Sequence, residues 1–394
     1  MAFNFVVDRV VKDRAYPALA RYSAEPYTPE WQEFVDHWPY TVPCELIEHC
    51  REFGVAYNLY TVNDVYPPDS YYPVGLGFFD FNIDYFALMT DPVHRALRDN
   101  QLRILFYYHE GDNPFRIKER LDSLCLAWEL PPRCYQFVSG NTAARTLENF
   151  IYFPDHELLY WRRNQAVVPE PFNNNKRTRD FTCLSRTHKW WRATAVADLQ
   201  RNDLLDNSFW SYNTDVSIDE EFENNPIEID VVNIRYGLKE FVRNGPYTCD
   251  SLTATDHNNH ALTVNEHYTD SYCNIVLETH FDTDQSGGVF LTEKIFKPIK
   301  YAQPFVIVGP AGSLRTLRSL GYRTFDHAVD TSYDLIENNT LRWLALLDTL
   351  REIKKKNLSQ WFELCRVDLE HNQQLFLSTK QDRLNTLLNQ LQTL

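Results

Sequence analysis

The sequence predicts an α/β protein built from two Rossmann-like, doubly wound domains facing a cleft. Three observations carry that expectation. Strand-like apolar runs alternate with helix-periodic segments in both halves of the chain, as parallel sheets with crossover helices require. The run PFVIVG (304–309) is short, apolar and rich in β-branched residues, which suits a strand buried on both faces, and QLRILFYY (101–108) reads as a second strand. Between the halves, QAVVPEPFNNNKRTRD (165–180) is rich in proline, asparagine and charge and reads as a linker. The expected divisions are 1–170, 178–357 and a helical segment at 358–394.

Taken in order, residues 1–70 hold helical fragments and proline-rich turns. CELIEHCREFG reads as an amphipathic helix ending at Gly54, and VAYNLYTVND as a strand after it. The aromatic stretch 72–86 suits a packed loop or an acceptor platform, with packing preferred. QLRILFYY is a strand that runs into His109-Glu110-Gly111-Asp112-Asn113-Pro114. The helix after it, FRIKERLDSLCLAWEL, sets Ile117, Leu121, Leu124 and Cys125 on one face. His109, Glu110 and Asp112 thus fall at a strand's carboxyl end, where α/β enzymes keep their chemistry. They can equally be caps of the following helix. CYQFVSGN is another strand. Asp155, His156 and Glu157 read as a turn and helix cap rather than a site.

In the second half FTCLS (181–185) is a short strand. RTHKWWRATAVADLQRNDLLD is its helix, with Trp191, Ala195, Leu199 and Leu204 in helical step. Residues 213–262 read as acidic and polar insertion loops. CNIVLETHFD is a strand ending at Glu278. GSLRTLRSLG is a helix, YRTF a strand, and two helices follow over TLRWLALLDTLREIKKK and NLSQWFELCRVDLEHNQQLF. The last has Trp361, Phe362, Cys365, Leu369 and Phe376 on one side.

Bulk properties narrow the function. The 394 residues suggest two or three domains. A net charge of −15 opposes general nucleic-acid binding, which relies on neutralising phosphates. A local basic face remains at Lys176, Arg177, Arg179, Arg186, Lys189, Arg192 and Arg201, interleaved with Trp190 and Trp191. A phosphate site for one small ligand is preferred there over a nucleic-acid face. The eight cysteines form no CxxC pair and read as buried free thiols, so no structural zinc site is expected. No apolar run is long enough to cross a bilayer, and the N-terminus lacks the apolar core of a secretory signal. A cytoplasmic location follows, in the chain's own cell or an infected host.

The stretch 287–309, GGVFLTEKIFKPIKYAQPFVIVG, organises the rest. It reads as loop, helix, then buried strand. Thr292 is a fair N-cap, and Glu293 suits the positive end of a helix. Ile295, Phe296, Ile299 and Ala302 recur at helical spacing, while Pro298 should kink or shorten the helix and Pro304 ends it. A carboxylate at such a start can accept both hydroxyls of a ribose, and the Lys294 ammonium can meet a phosphate. On spacing alone the pair can also be an exposed Glu-Lys on any helix.

FLTEKIFKPIKYAQPFVIVG resembles the donor-site segment of the α1,3-fucosyltransferases: an apolar pair, Thr-Glu-Lys, a helix, and a short apolar strand ending in Gly. It is closer still to glycosyltransferase-like proteins of phages, large viruses and some bacteria, in which the segment continues much as GPAGSLRTLRSLGYRTFDHAVDTSYD does here. The match is good over 270–345, weaker over 180–213 and faint over 75–165. The resemblance implies a GT-B fold, with the nucleotide sugar on the C-terminal half and the acceptor contacts and base on the N-terminal half. A last helix often returns to the first domain in that fold, and 358–394 is long enough for it. The resemblance also carries roles. Glu293 becomes the ribose ligand, Lys294 a phosphate or ribose contact, and Arg192 the diphosphate ligand. Ser185 and Glu278 follow the family pattern more loosely, and Arg186 stands where Asn is usual. Thr292 belongs to the motif.

Sugar transfer from a nucleotide diphosphate needs a stabilised leaving group, an aligned hydroxyl and, with inversion, a base. Glu110 is the expected base, with His109 and Asp112 as rivals. Lys297 reads as a solvated helix residue. Asp282-Thr-Asp284 has the DxD form that binds metal in another glycosyltransferase fold, but it sits in the loop before Thr-Glu-Lys, so no metal and no cofactor is expected beyond a UDP- or GDP-sugar cosubstrate. The acceptor is then a glycan hydroxyl. The alternatives are a phage-type enzyme acting on a hydroxymethylated DNA base, and an inactive nucleotide-sugar-binding protein.

Overall fold

The computed structural model describes residues 2–7, 44–77, 79–163, 172, 175–213, 225–227, 231–249 and 264–393. Most of the proline-rich stretch near the N-terminus, the centre of the linker and much of the insertion loops lie outside these. The chain divides into two compact units. Unit 1 comprises Met1–Leu158, Ser286–Phe290 and Thr379–Leu394; unit 2 comprises Leu159–Gln285 and Leu291–Ser378.

Unit 1 is organised on a six-stranded sheet of β1 (Phe3–Val7), β2 (Tyr57–Thr61), β3 (Ser70–Leu76), β4 (Leu102–Tyr108), β5 (Tyr135–Ser139) and β6 (Phe150–Tyr152). The spatial order is β2-β1-β3-β4-β5-β6 and every pairing is parallel. β4 explains why its sequence is apolar without alternation. Ile104, Phe106 and Tyr108 enter one core, with Tyr72, Val74, Phe137 and the helices Asp91–Arg98 and Pro114–Ala127. Leu105 and Tyr107 point the other way, into a core shared with Phe3, Phe5, Leu46 and Ile47. Successive side chains leave a strand on opposite faces, so a strand covered on both sides must be apolar throughout. The helix Pro114–Ala127 starts as its sequence suggests: Asn113 accepts from Phe115 N, and Pro114 occupies the first turn.

Two further pieces complete unit 1. Helix Lys380–Thr393 inserts Leu384, Leu387, Leu388 and Leu391 into the second core, and Tyr71 donates to the Leu391 carbonyl at 2.6 Å. At its start Lys380 and Arg383 meet Glu157 at 2.6 and 2.5 Å, and that carboxylate is fully buried. The other piece is Ser286–Phe290. Thr142 N donates to the Val289 carbonyl and Val289 N to Thr142 Oγ1, both at 2.9 Å. Asn141 Nδ2 donates to the carbonyls of Ser286 and Gly111. The Phe290 ring lies so close to the turn after β4 that a Cβ added to Gly111 would come within 2.1 Å of it. Only glycine fits there.

Unit 2 carries a four-stranded parallel sheet of β7 (Arg179–Ser185), β8 (Phe209–Tyr212), β9 (Ser271–Leu277) and β10 (Phe305–Val308), in the order β10-β9-β7-β8. Every residue of β9 and β10 is buried. Two parallel, Rossmann-like α/β sheets on one chain are what a GT-B fold requires.

Four expectations need correction. Residues 72–76, at the start of the aromatic stretch expected to be a packed loop, belong to strand β3 and pair along their length with β4. YRTF (322–325) is not a strand. Phe325 takes φ +61°, a left-handed backbone that a strand cannot hold. Asn372 brackets Arg323 instead, accepting from its N at 2.8 Å and donating to its O at 2.9 Å. The helix expected over NLSQWFELCRVDLEHNQQLF is two helices, Leu358–Leu364 and Arg366–Ser378, joined at Cys365, although its apolar side is buried as a whole. Cys249 is half-buried, whereas the other seven thiols are buried. No helix among the described residues is long and apolar enough to cross a membrane.

Removing one member of a buried ion pair strands the other charge, at a cost of about 3–5 kcal/mol. Glu157→Gln takes from Lys380 and Arg383 the carboxylate that pairs them and should lower stability by about that amount. Urea unfolding of parent and variant measures it; midpoints that coincide would show the pair to be dispensable.

Candidate functional site

The carboxyl ends of β7 and β9 form the topological switch of unit 2, because the chain leaves β7 for β8 on one side and returns as β9 on the other. Ligands of open α/β sheets gather at such points. Ser185 ends β7 and is buried, its Oγ 3.5 Å from the Thr187 carbonyl. Arg186 follows, half-buried. Glu278 follows β9 directly and is fully buried.

Glu278 is held by the residue that caps helix Glu293–Lys300. It accepts from Thr292 Oγ1 at 2.7 Å and from Thr292 N at 3.3 Å, and Thr279 N also donates to it. Burial raises its pKa, opposed by the Lys294 charge and these donors. Thr292 in turn caps helix Glu293–Lys300, its Oγ accepting from Lys294 N, and Pro298 lies inside that eight-residue helix. Glu293 and Lys294 are therefore fixed by a chain of contacts that begins at β9. Their side chains are 7% and 29% exposed and pair at 3.1 Å. The Lys294 ammonium also reaches Thr292 Oγ1 at 3.2 Å and Thr279 Oγ1 at 3.5 Å.

Arg192, in helix Trp190–Arg201, is buried. Its Nε and Nη2 donate to the Glu278 carbonyl at 3.2 and 2.5 Å, and its Nη1 to the Thr187 carbonyl at 3.2 Å. The guanidinium thus ties the loop after β7 to the end of β9. Lys189 donates to the Thr279 carbonyl at 2.7 Å. Lys297 is half-buried rather than solvated, and burial pushes its pKa down to about 8. The same concentration of positive charge marks His280. Burial, then Lys189, Arg192 and Lys294, depress its pKa to about 4. The cations around Glu278 and Glu293 exceed those two carboxylates, so the region is suited to an anion.

A second helix start in this unit is already filled. The Asp334 carboxylate accepts from Leu314 N at 2.8 Å and Arg315 N at 2.9 Å, at the head of Ser313–Ser319. Of the basic stretch 176–201, Arg177 is buried and donates to the carbonyls of Tyr268 and Ser271. In the Asp282–Asp284 pair the Asp284 side chain lies outside the described residues.

In unit 1 the structure assembles more than the sequence suggested. Glu110 follows β4 and His109, and its side chain is 37% exposed. His109 lies with Nε2 3.7 Å from Glu110 and Nδ1 3.8 Å from Glu45, while His156 Nε2 is 3.9 Å from Glu110. Asp112 accepts from the Tyr108 hydroxyl. Asp155 is buried and accepts from His49 Nε2 at 2.8 Å and from the Tyr107 hydroxyl. Burial raises its pKa, but His49 and His109 pull harder and hold the carboxyl well below the usual range. Asp155 and His156, read from the sequence as a turn and helix cap, are therefore part of a buried polar cluster with Glu45 and His49. One signal was available: ELIEHCRE places Glu45, Glu48 and His49 at helical spacing among Leu46, Ile47 and Cys50, and all six are buried.

No family model matches this chain, and no curated protein matches it. A crystal structure of a GtfA/B complex is similar to it, with 9% sequence identity and a TM-score of 0.33, over 76% of this chain and 60% of that one. This chain therefore spans about 60% of the length of that structure's chain. A likeness of this degree neither adds to nor subtracts from the two sheets described above.

Two outcomes follow for unit 2. Thr292→Ala removes a helix cap and a donor to a buried carboxylate, so stability should fall by about 1–3 kcal/mol, and Thr292→Ser should restore most of it. Equal stabilities of all three by denaturant titration would remove Thr292 from this role. His280 is neutral in the fold down to about pH 4, whereas an unfolded histidine takes its proton near pH 6.5. Its contribution to stability is complete above about pH 6.5 and is lost as pH falls toward 4. His280→Asn should flatten the melting-temperature profile over that window, and an unchanged slope would count against it.

Proposed function

We propose that this chain is an inverting glycosyltransferase of the GT-B type, transferring a hexosyl or pentosyl unit from a UDP- or GDP-sugar to a hydroxyl, with a glycan acceptor preferred. One observation carries this most: at the switch point of unit 2, Glu293 and Lys294 begin a capped helix among Arg186, Lys189, Arg192 and Lys297. Glu293 would accept the ribose hydroxyls. Lys294, with Arg186 and Lys189, would meet the diphosphate, and the helix N-terminus adds partial positive charge. Such groups stabilise the leaving diphosphate as its charge develops, without an ion.

Arg192 contributes charge but spends its N–H groups on backbone carbonyls, so its part is to hold the loops that carry the ligands. Ser185, Glu278 and Thr292 are the frame of the same site. Glu110 is the proposed base, with His109 beside it, because its carboxylate is partly exposed at a strand's carboxyl end. Asp112 fits less well, since it accepts from Tyr108. The DNA-acceptor alternative gains nothing from Arg177 and Arg192, both of which are buried. The fucosyltransferase resemblance supports the donor assignment through Thr292, Glu293 and Lys294 alone.

The test has two stages. A thermal-shift panel of UDP-, GDP- and CMP-sugars should single out one nucleotide. At a hundred times its dissociation constant the ligand adds about 2.7 kcal/mol, a shift of a few degrees. Lys294→Ala should abolish that shift. Glu110→Gln should keep the shift and lose transfer by about 100-fold or more. No shift with any nucleotide sugar would end the donor assignment, and turnover within about threefold of the parent would end that of Glu110.

A further inference from the structure

Three side chains from three separate elements of unit 1 converge on one point. Glu45 opens helix Glu45–Glu52, His109 follows β4, and Asp155 opens helix Asp155–Arg163. One ligand atom from each lies within 4.8 Å of the other two. Glu45 and Asp155 are 6% and 1% exposed, so two carboxylates are held almost without water. Such charges need a counter-charge close at hand.

No hydrogen bond joins His109 to Glu45. His109 Nδ1 stands 3.8 Å from Glu45, beyond hydrogen-bond length. Asp155 is used on one side only: Oδ1 takes both His49 and Tyr107, while Oδ2 has no hydrogen-bond partner although it is buried. That is the pattern of a ligating carboxylate, steadied through one oxygen by outer donors and presenting the other. His109 is arranged likewise, with Nδ1 toward Glu45 and Nε2 toward Glu110.

We infer that Glu45, His109 and Asp155 form a binding site for a divalent first-row transition ion, with Zn2+ as the best-suited occupant. One imidazole nitrogen and two carboxylate oxygens favour such an ion over Mg2+ or Ca2+, which take all-oxygen sets. Even at the full 4.8 Å separation, an ion at the centre would sit about 2.8 Å from each atom, so side-chain shifts of under about 1 Å reach the ~2.0–2.2 Å of zinc bonds. The ion would neutralise the two carboxylates and pin two helix starts to the end of β4, next to Glu110. Its ligands all lie in unit 1, while the residues proposed for the diphosphate lie in unit 2, so this site stands or falls independently of the donor assignment.

The full chain, stripped with chelator and titrated with zinc chloride, should retain one zinc per molecule after desalting and melt several degrees higher. His109→Ala and the near-isosteric Glu45→Gln should each weaken zinc binding by ~100-fold or more while circular dichroism stays that of the parent. Those two are chosen because Asp155 also anchors His49 and Tyr107. Should one variant unfold, the other carries the test. No retained zinc, or equal retention by the folded variants, would overturn the site. Magnesium or calcium bound as tightly as zinc would overturn the class of ion.

Discussion

A carboxylate with no access to water sits at the end of β9 and organises unit 2. Glu278 is stable there only while donors surround it, and the nearest belong to Thr292 and Thr279. Satisfying the buried charge therefore fixes where helix Glu293–Lys300 begins. That helix start carries Glu293 and Lys294. The Glu278 backbone is tied down too, since Arg192 donates twice to its carbonyl. A strand end, a helix cap and the loop after β7 become one rigid assembly through a few polar contacts.

The same contacts set the electrostatics. Cations that hold loops also raise the local potential, and after burial, the larger cause, they help depress the His280 pKa to about 4. Glu293 and Lys294 offset each other at 3.1 Å, which restrains both side chains. Restraint of that kind reduces the entropy lost on binding. At the other glycine-rich turn the Asp334 carboxylate fills the start of helix Ser313–Ser319, which closes that helix N-terminus to an anion.

Unit 1 handles buried charge in two ways. Glu157 is answered fully, by Lys380 and Arg383 from the last helix. Asp155, two residues earlier, is answered by His49 and Tyr107 on one oxygen. The contrast shows why the two carboxylates have different meanings. A fully paired ion locks the last helix onto the sheet, whereas a half-satisfied one leaves binding capacity inside the protein. Nearby, Phe290 packs against Gly111 and Gly140, so the loop bearing Glu110 is shaped by a segment far away in sequence.

Short-range pattern marks β2, β4, β5, β7, β9, β10 and most helices from sequence alone, whereas β1, β6 and β8 are not read from it and β3 lies where a packed loop is expected. Continuous apolar runs marked β4, β9 and β10 because burial on both faces leaves no room for polar residues. Thr292 was legible as a cap because capping depends on adjacent residues. The failures share a cause. YRTF has the composition of a strand, but Asn372 from a distant helix takes its hydrogen bonds. Asp155 and Glu157 resemble parts of a turn, and only partners at positions 49, 107, 380 and 383 turn them into buried ions. Likewise the composition of Lys176–Arg201 shows charge but not that Arg177 and Arg192 point inward. Periodicity reports which face of an element is buried. Which charge that face must answer is decided by contacts across 100 residues and more, and those exist only in the folded chain.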